Sequence, residues 1–137
     1  QVYYEFMHFP FIDSGQVTSK ESHQAANASM CANAQGKFWP YHDILFANQG
    51  AENGGNFTDK RLEAFAQSLG LDMNAFNKCF GANTYSAEIE ADYQEGVAAG
   101  VNSTPSVFLN GKDVTPGTIP TYEQLKSAID AALASGG

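Results

Sequence analysis

Two cysteines, Cys31 and Cys79, are the side chains of this sequence with the most evident capacity for chemistry. They lie too far apart to be a redox dithiol, whose two cysteines share one helical turn in a Cys-x-x-Cys motif. The sequence alone leaves two alternatives open, a pair of buried free thiols or a disulfide bond. The three histidines have no spacing such as His-x3-His, so the sequence predicts no metal site.

The second candidate region is residues 100–111, where Thr104-Pro105 leads into the apolar run Val107–Leu109 and Asn110-Gly111 closes it. Proline has no N–H and is confined to strand starts, edges or bulges. Asn-Gly between two extended runs is the strongest short-range signal for a hairpin. We therefore predict a strand from near residue 106, a turn at Asn110-Gly111 and a return strand over 112–115. A proline at the start of a strand is also a common place for a cis peptide bond.

The first ten residues contain a histidine and a carboxylate within an aromatic run. Val2–Phe9 carries apolar residues on both faces, which predicts a buried central strand that ends at Pro10. His8 lies at the C-terminal end of this strand and Glu5 lies inside it. We expect Glu5 to lie at the edge of a cleft or to be a buried proton acceptor.

The elements that must position these residues are mostly helical. Helix caps and apolar spacing predict helices with these starts and ends: from about Ser22 to Gly36, from Pro40 through Phe46, from the N-cap Thr58 to Leu69, from the N-cap Asp72 to Cys79, from about Tyr85 to Ala99, and from Thr121, which forms a capping box with Gln124. The predicted order is a strand, a long helical block, a two-strand hairpin and a final helix.

Length and composition limit the classes of function. The 137 residues predict one domain, and an apolar fraction of 43% is ordinary for a globular protein. The net charge of −8, without a basic cluster, argues against nucleic acid as a partner, because phosphates must be neutralised by Lys and Arg. The same charge argues against binding to an anionic membrane surface. No stretch approaches the roughly 18 apolar residues of a membrane span.

Four stretches, in order along the chain, resemble the thioredoxin superfamily and, within it, the DsbA-like thiol-disulfide oxidoreductases. Thr104-Pro105 and the hairpin after it resemble the cis-proline loop and final hairpin of that family. Residues 2–10 are similar to the strand that follows the family's redox helix. Residues 35–46, which begin Gln-Gly-Lys-Phe-Trp, and residues 69–79 resemble parts of its helical insertion.

The resemblance implies an α/β, thioredoxin-like fold with a DsbA-like α-helical insertion. Residues 1–137 would form a single domain, in which 1–17 and 97–137 belong to the thioredoxin fold and 18–96 form the insertion. The family's Cys-x-x-Cys, which begins a helix after its first strand, is absent here. We therefore expect an N-terminally incomplete DsbA-like domain, arising by truncation or completed by a separate polypeptide.

The same resemblance assigns a substrate-docking role to Ser103, Thr104 and Pro105. In the family, the backbone of the residue before this proline pairs with the substrate peptide like an added strand. The structural alternative is that Thr104-Pro105 only begins a strand.

The resemblance also implies roles for His8 and for the two cysteines. His8 would lie near the redox helix, where an imidazolium favours a thiolate; the alternative is an ordinary surface or core histidine. An even cysteine count in a chain that resembles an exported family favours a structural disulfide between Cys31 and Cys79 in two insertion helices.

The function implied is disulfide formation or exchange in exported proteins, with no cofactor and an extracytoplasmic location. Cysteine-containing client polypeptides would be substrates, and a membrane redox partner would serve the intact protein. Without the dithiol, we expect no oxidase or reductase turnover from this chain alone. Self-association through an exposed sheet edge is a further expectation. The alternatives are a non-catalytic peptide-binding or assembly module, and the glutathione-dependent isomerase or transferase branch of the same fold.

Overall fold

The computed structural model describes residues 2–13 and 20–136. Its elements in these ranges are a 3₁₀ turn at Phe11–Asp13, helices α1 (Glu21–Asn33), α2 (Phe38–Ala47), α3 (Asp59–Ser68), α4 (Met73–Gly81), α5 (Ser86–Ala98) and α6 (Tyr122–Ala134), and strands β1 (Phe108–Leu109) and β2 (Lys112–Asp113). The chain divides into two compact units, Gln1–Glu95 and Gly96–Gly137. The predicted assignment of a single domain and its boundaries stay predictions.

The predicted N-terminal caps of three helices are confirmed. The Thr58 side chain accepts the backbone N–H of Arg61 at the start of α3. Asp72 accepts two backbone N–H groups in the first turn of α4. Thr121 and Gln124 form the predicted capping box of α6. Each cap satisfies N–H groups that have no partner within the helix, which fixes where the helix begins.

Two details at the ends of α1 differ from the prediction. The sequence predicts that Gly36 directly follows the C-cap of α1. The helix instead ends at Asn33 with Ala34 as its C-cap, so Gly36 is the second residue after the C-cap. There its φ of +71° continues the turn, a conformation that glycine adopts without steric cost. At the other end, the buried carboxylate of Asp13 accepts the backbone N–H groups of Ser22 and His23. Asp13 therefore caps α1 from outside the helix.

The core of the first unit is formed by the facing sides of α1 to α4. Its largest buried side chains include Tyr41, Leu62 and Phe76. The Tyr41 hydroxyl donates to the Leu62 carbonyl oxygen over 2.9 Å, so the buried hydroxyl has the partner it requires. Burial also raises the pKa of Tyr41 far above its ordinary value. A disulfide between Cys31 and Cys79 joins α1 to α4, as the resemblance implied, and rules out the free-thiol alternative.

The hairpin of the second unit confirms the prediction from Asn110-Gly111. Phe108 pairs with Asp113, and Leu109 pairs with Lys112. The φ values of +49° at Asn110 and +77° at Gly111 are those of a tight hairpin turn with two left-handed central residues. The Val114 N–H donates to the Val107 carbonyl oxygen over 2.9 Å and continues the pairing. The strands are nevertheless shorter than predicted.

The predicted strand over Val2–Phe9 is wrong. These residues are in neither helix nor strand, and Val2, Tyr3 and Tyr4 are exposed. A strand exists only through its ladder of hydrogen bonds to a neighbour. Among the described residues, β1 and β2 pair with each other alone, so no strand is paired with this segment. The expected self-association through a sheet edge stays a prediction.

Candidate functional site

The loop before β1 holds the three residues predicted to dock a substrate. The Thr104–Pro105 peptide bond is cis. Thr104 and Pro105 are exposed, and Ser103 is half-buried. The Ser106 hydroxyl donates to the Ser103 carbonyl oxygen over 2.8 Å, which closes a turn around the proline. The turn thus presents Thr104 at its outer side.

The backbone of Thr104 is free to pair with another chain. Across the described ranges, neither its N–H nor its carbonyl oxygen takes part in a hydrogen bond. Two residues after the proline, the Val107 carbonyl oxygen is already engaged by Val114. An extended peptide that adds to an exposed chain forms hydrogen bonds with unpaired backbone N–H and C=O groups. The loop therefore leaves one backbone donor and one backbone acceptor without partners in the described part of the chain, and it contains no cysteine.

His8 belongs to the first unit, where it is buried beneath aromatic rings. It is 9% exposed. Its backbone N–H donates to Oδ2 of Asp92 on α5 over 2.9 Å. Its ring centroid lies 5.4 Å from that of Phe6 and 6.2 Å from that of Phe38. Nε2 has no hydrogen-bond partner within the described part of the chain. Burial lowers the pKa of His8, while Asp92 acts in the opposite direction and His42 lowers it further.

Phe6, whose ring meets that of His8, belongs to an aromatic face that we define as Tyr4, Phe6, Trp39, His42 and Phe46. Tyr4 stacks on Trp39 at 5.6 Å, and Phe6 meets His42 at 5.2 Å. His42 in turn lies 4.6 Å from Phe46. Tyr4, Trp39 and Phe46 remain 68%, 46% and 59% exposed, respectively. The sequence analysis did not identify this face, because only the fold brings residues 2–10 against α2.

Glu5, the other candidate in the first segment, is exposed. The interpretation of Glu5 as a buried proton acceptor is therefore wrong. The buried acid of residues 2–13 is instead Asp13.

Buried Asp13 pairs with the partly exposed His23, a contact that the sequence interpretation missed. Its Oδ2 lies 2.8 Å from Nδ1 of His23, and the Asp13 side chain is only 2% exposed. Together with Lys20, Asn83 and Ser86, the pair lines a cavity of about 190 Å³. One signal in the sequence could have indicated this contact. Lys20, the N-cap of α1, has no side-chain acceptor, so the first N–H groups of the helix need an acceptor from elsewhere. The pair anchors the start of α1.

Polar side chains also fix the connections between helices, and one of them explains part of the Gln-Gly-Lys-Phe-Trp stretch. The Gln35 amide oxygen accepts the Asp72 N–H over 2.9 Å, and its amide nitrogen donates to the Asp72 carbonyl oxygen over 3.2 Å. Buried Asn27 similarly donates to the Phe80 carbonyl oxygen and accepts from the Tyr85 N–H. These bonds hold the ends of α4 against α1.

The described ranges contain neither a free thiol nor a cluster of metal-ligating side chains. Both cysteines of the sequence are joined in the disulfide, so no free thiol is available. No group of three or more His, Cys, Asp or Glu side chains is placed to hold a metal ion there.

None of the helices seen in residues 2–13 and 20–136 is both long and apolar enough to cross a membrane.

A family model described as thioredoxin matches residues 1–131. The chain belongs to the thioredoxin family. Its hairpin and the proline loop before it are thus parts of a thioredoxin-like domain, and the helices α1 to α5 lie between the first segment and that loop.

The curated relatives are much longer proteins. A Na⁺/H⁺ antiporter NhaA from Herminiimonas arsenicoxydans is 30% identical over 109 residues, which is 80% of this chain and 16% of that protein. A Na⁺/H⁺ antiporter NhaA 3 from Salinispora tropica is 30% identical over 135 residues, 98% of this chain and 19% of that protein. The chain thus spans less than a fifth of these relatives. No solved structure matches it.

Proposed function

We propose that this chain is the client-docking part of a DsbA-like thiol-disulfide oxidoreductase that forms or exchanges disulfides in exported proteins. The thioredoxin family match supports the general class. The DsbA-like assignment rests on the order of the resembling stretches and on the helices between the first segment and the proline loop. We propose that residues 18–96 are the helical insertion of that family.

The observation that carries the proposal is the vacant backbone of Thr104. A client cysteine must lie in an extended segment to reach a redox centre, and such a segment needs backbone partners. Thr104 offers one N–H and one C=O, both without partners among the described residues and both on an exposed loop. Ser103 and Pro105 hold that backbone in place on either side. Cysteine-containing polypeptides are the proposed clients.

The chemistry of exchange would have to come from outside these residues. Exchange begins with attack by a thiolate, and the two cysteines of this sequence are bonded to each other. A Cys-x-x-Cys supplied from elsewhere would stand opposite the docked client. We propose His8 as a neighbour of that dithiol, on the resemblance alone.

An extracytoplasmic location is part of the proposal. The Cys31–Cys79 disulfide supports it, because disulfides persist mainly in oxidising compartments. A membrane redox partner would then restore the redox state of the intact protein.

A second candidate is a non-catalytic peptide-binding module within a larger protein. Two observations favour it. The sequence offers no free thiol, and the relatives in which a similar stretch occurs are called antiporters, of which it is only a small share. In this case peptide binding would serve assembly or regulation. No observation favours the glutathione-dependent branch.

Calorimetric titration with an extended decapeptide that contains one reduced cysteine tests the docking role. We expect Thr104→Pro, which removes the N–H donor, to weaken binding about tenfold, the value of one hydrogen bond. Thr104→Ala is the matched control, because it keeps the backbone and should keep the affinity. Equal binding by the Thr104→Pro variant would overturn the docking role.

The coding sequence immediately upstream of Gln1 separates the two candidates. A Cys-x-x-Cys there supports the oxidoreductase, a lone Ser in its place supports the glutathione branch, and coding sequence that contains neither supports the module. The product of that longer reading frame should then oxidise a reduced client peptide only in the first case.

A further inference from the structure

The ring of His8 is enclosed in a way that suits only its neutral form. Its Nε2 is buried and lacks a hydrogen-bond partner among the described residues. The Phe6 and Phe38 rings flank it, each steeply inclined to the imidazole plane, and they supply no hydrogen-bond acceptor for an N–H group. A protonated imidazole carries two N–H donors and a charge, which need partners or water. The docked position therefore disfavours a proton on His8.

The charged groups that face His8 come from both helices packed against it. On α5, the Asp92 carboxylate accepts the His8 backbone N–H. On α2, His42 lies close enough to disfavour a second positive charge, and its Nδ1 is 3.1 Å from Oδ1 of Asp43. On its own segment, Glu5 is exposed. Burial and His42 together outweigh the attraction of Asp92, and the pKa of His8 lies below its ordinary value.

We propose that residues 2–10 form an acid-sensitive latch, docked on α2 and α5 while His8 is neutral and released when His8 takes up a proton. Aromatic contacts hold the docked latch: Tyr4 on Trp39, Phe6 on Phe38, and Phe9 on Tyr93. Release uncovers Phe38 and the inner side of Trp39. Release also removes Tyr4 and Phe6 from the aromatic face, so more of the aromatic surface of α2 is open to solvent in acid than at neutral pH.

The sign of the effect follows from proton linkage. Released His8 has the ordinary histidine pKa of about 6.5, and docked His8 has a lower one. Docking is therefore fully favoured above about pH 6.5 and is lost as the pH falls through the lowered value. Between the two pKa values, the ratio of docked to released latch falls by up to about tenfold per pH unit.

Trp39 provides a direct readout, because it is the single tryptophan of the chain and Tyr4 stacks on it. We expect acrylamide quenching of Trp39 to rise as the pH falls from about 7.5 to about 4.5, while far-ultraviolet circular dichroism stays unchanged. In His8→Phe, which keeps a flat ring but cannot titrate, quenching should stay low at both pH values. If His8→Phe does not fold, His8→Gln takes its place.

A matched variant separates the latch from direct quenching by a neighbouring imidazolium. The His42 ring lies 5.3 Å from Trp39 and would quench it when protonated. The His42→Gln variant should keep the acid-induced rise in acrylamide quenching of Trp39.

The NMR resonance of the His8 amide, bonded to Asp92, should lose its downfield shift over the same pH range. The proposal is overturned if quenching of Trp39 does not rise in acid in the wild type, or if it still rises in the His8 variant. Loss of this rise in His42→Gln would overturn it as well.

Discussion

The backbone N–H of His8 donates to the carboxylate of Asp92 over 2.9 Å and thereby ties the first segment of the chain to α5. The two residues lie far apart in the sequence. This bond and the aromatic contacts of Tyr4, Phe6 and Phe9 hold the first segment against α2 and α5. Among the described residues, no strand pairs with this segment. The arrangement depends on tertiary contacts and not on a ladder of backbone hydrogen bonds.

Replacing Asp92 by Ala should lower the free energy of unfolding by about 2 kcal/mol, because the buried side of the His8 amide loses a charged acceptor. Urea unfolding followed by circular dichroism measures this. Glu95→Ala is the matched control, since Glu95 is an exposed acid on the same helix; its stability should stay within about 0.5 kcal/mol of wild type. Equal stability of the two variants would show that the bond to His8 contributes nothing.

Reduction of the Cys31–Cys79 disulfide should lower the free energy of unfolding by about 4 kcal/mol. The estimate is the loop-closure entropy that the bridge removes from the unfolded chain, whose cysteines are separated by 48 positions. Urea unfolding with and without dithiothreitol measures the loss. The double variant Cys31→Ala, Cys79→Ala should be insensitive to the reductant, and an unchanged wild type in the reductant would contradict the prediction.

Tyr41→Phe should lower the free energy of unfolding by about 1 kcal/mol, because the buried hydrogen bond from the Tyr41 hydroxyl to the Leu62 carbonyl oxygen is lost. The raised pKa of Tyr41 also predicts that the folded protein loses stability at high pH. The pKa of Tyr41 is raised in the folded state, so its contribution is complete below about pH 10 and is lost as the pH rises above that. Ultraviolet titration should show that Tyr41 ionises only with unfolding. Ionisation of every tyrosine at about pH 10 in the folded protein would refute this.

Local signals in the sequence predicted several elements well. Asp72 and Thr121 marked helix starts because a cap needs only a side chain and the N–H groups two or three residues on. Asn110-Gly111 marked the hairpin because both positions require left-handed backbone. In each case the deciding atoms lie within a few residues of each other.

The missed features depend on residues that are distant in the sequence. Val2–Phe9 has the composition of a strand, but composition does not supply the neighbour that a strand needs. The aromatic face arises only when that segment lies on α2, which the sequence pattern does not state. Asp13 was missed for the same reason, since the helix that it caps begins only at Glu21.

The most direct test of the docking role is the NMR response of the Thr104 amide to a peptide with one reduced cysteine, titrated into the ¹⁵N-labelled chain. Pairing of the peptide with Thr104 should shift this amide downfield and protect it from solvent exchange, while the amide of Val114, already bonded to Val107, stays unchanged. An unperturbed Thr104 amide at saturating peptide, or shifts confined to the first unit, would contradict the proposal that this loop docks clients.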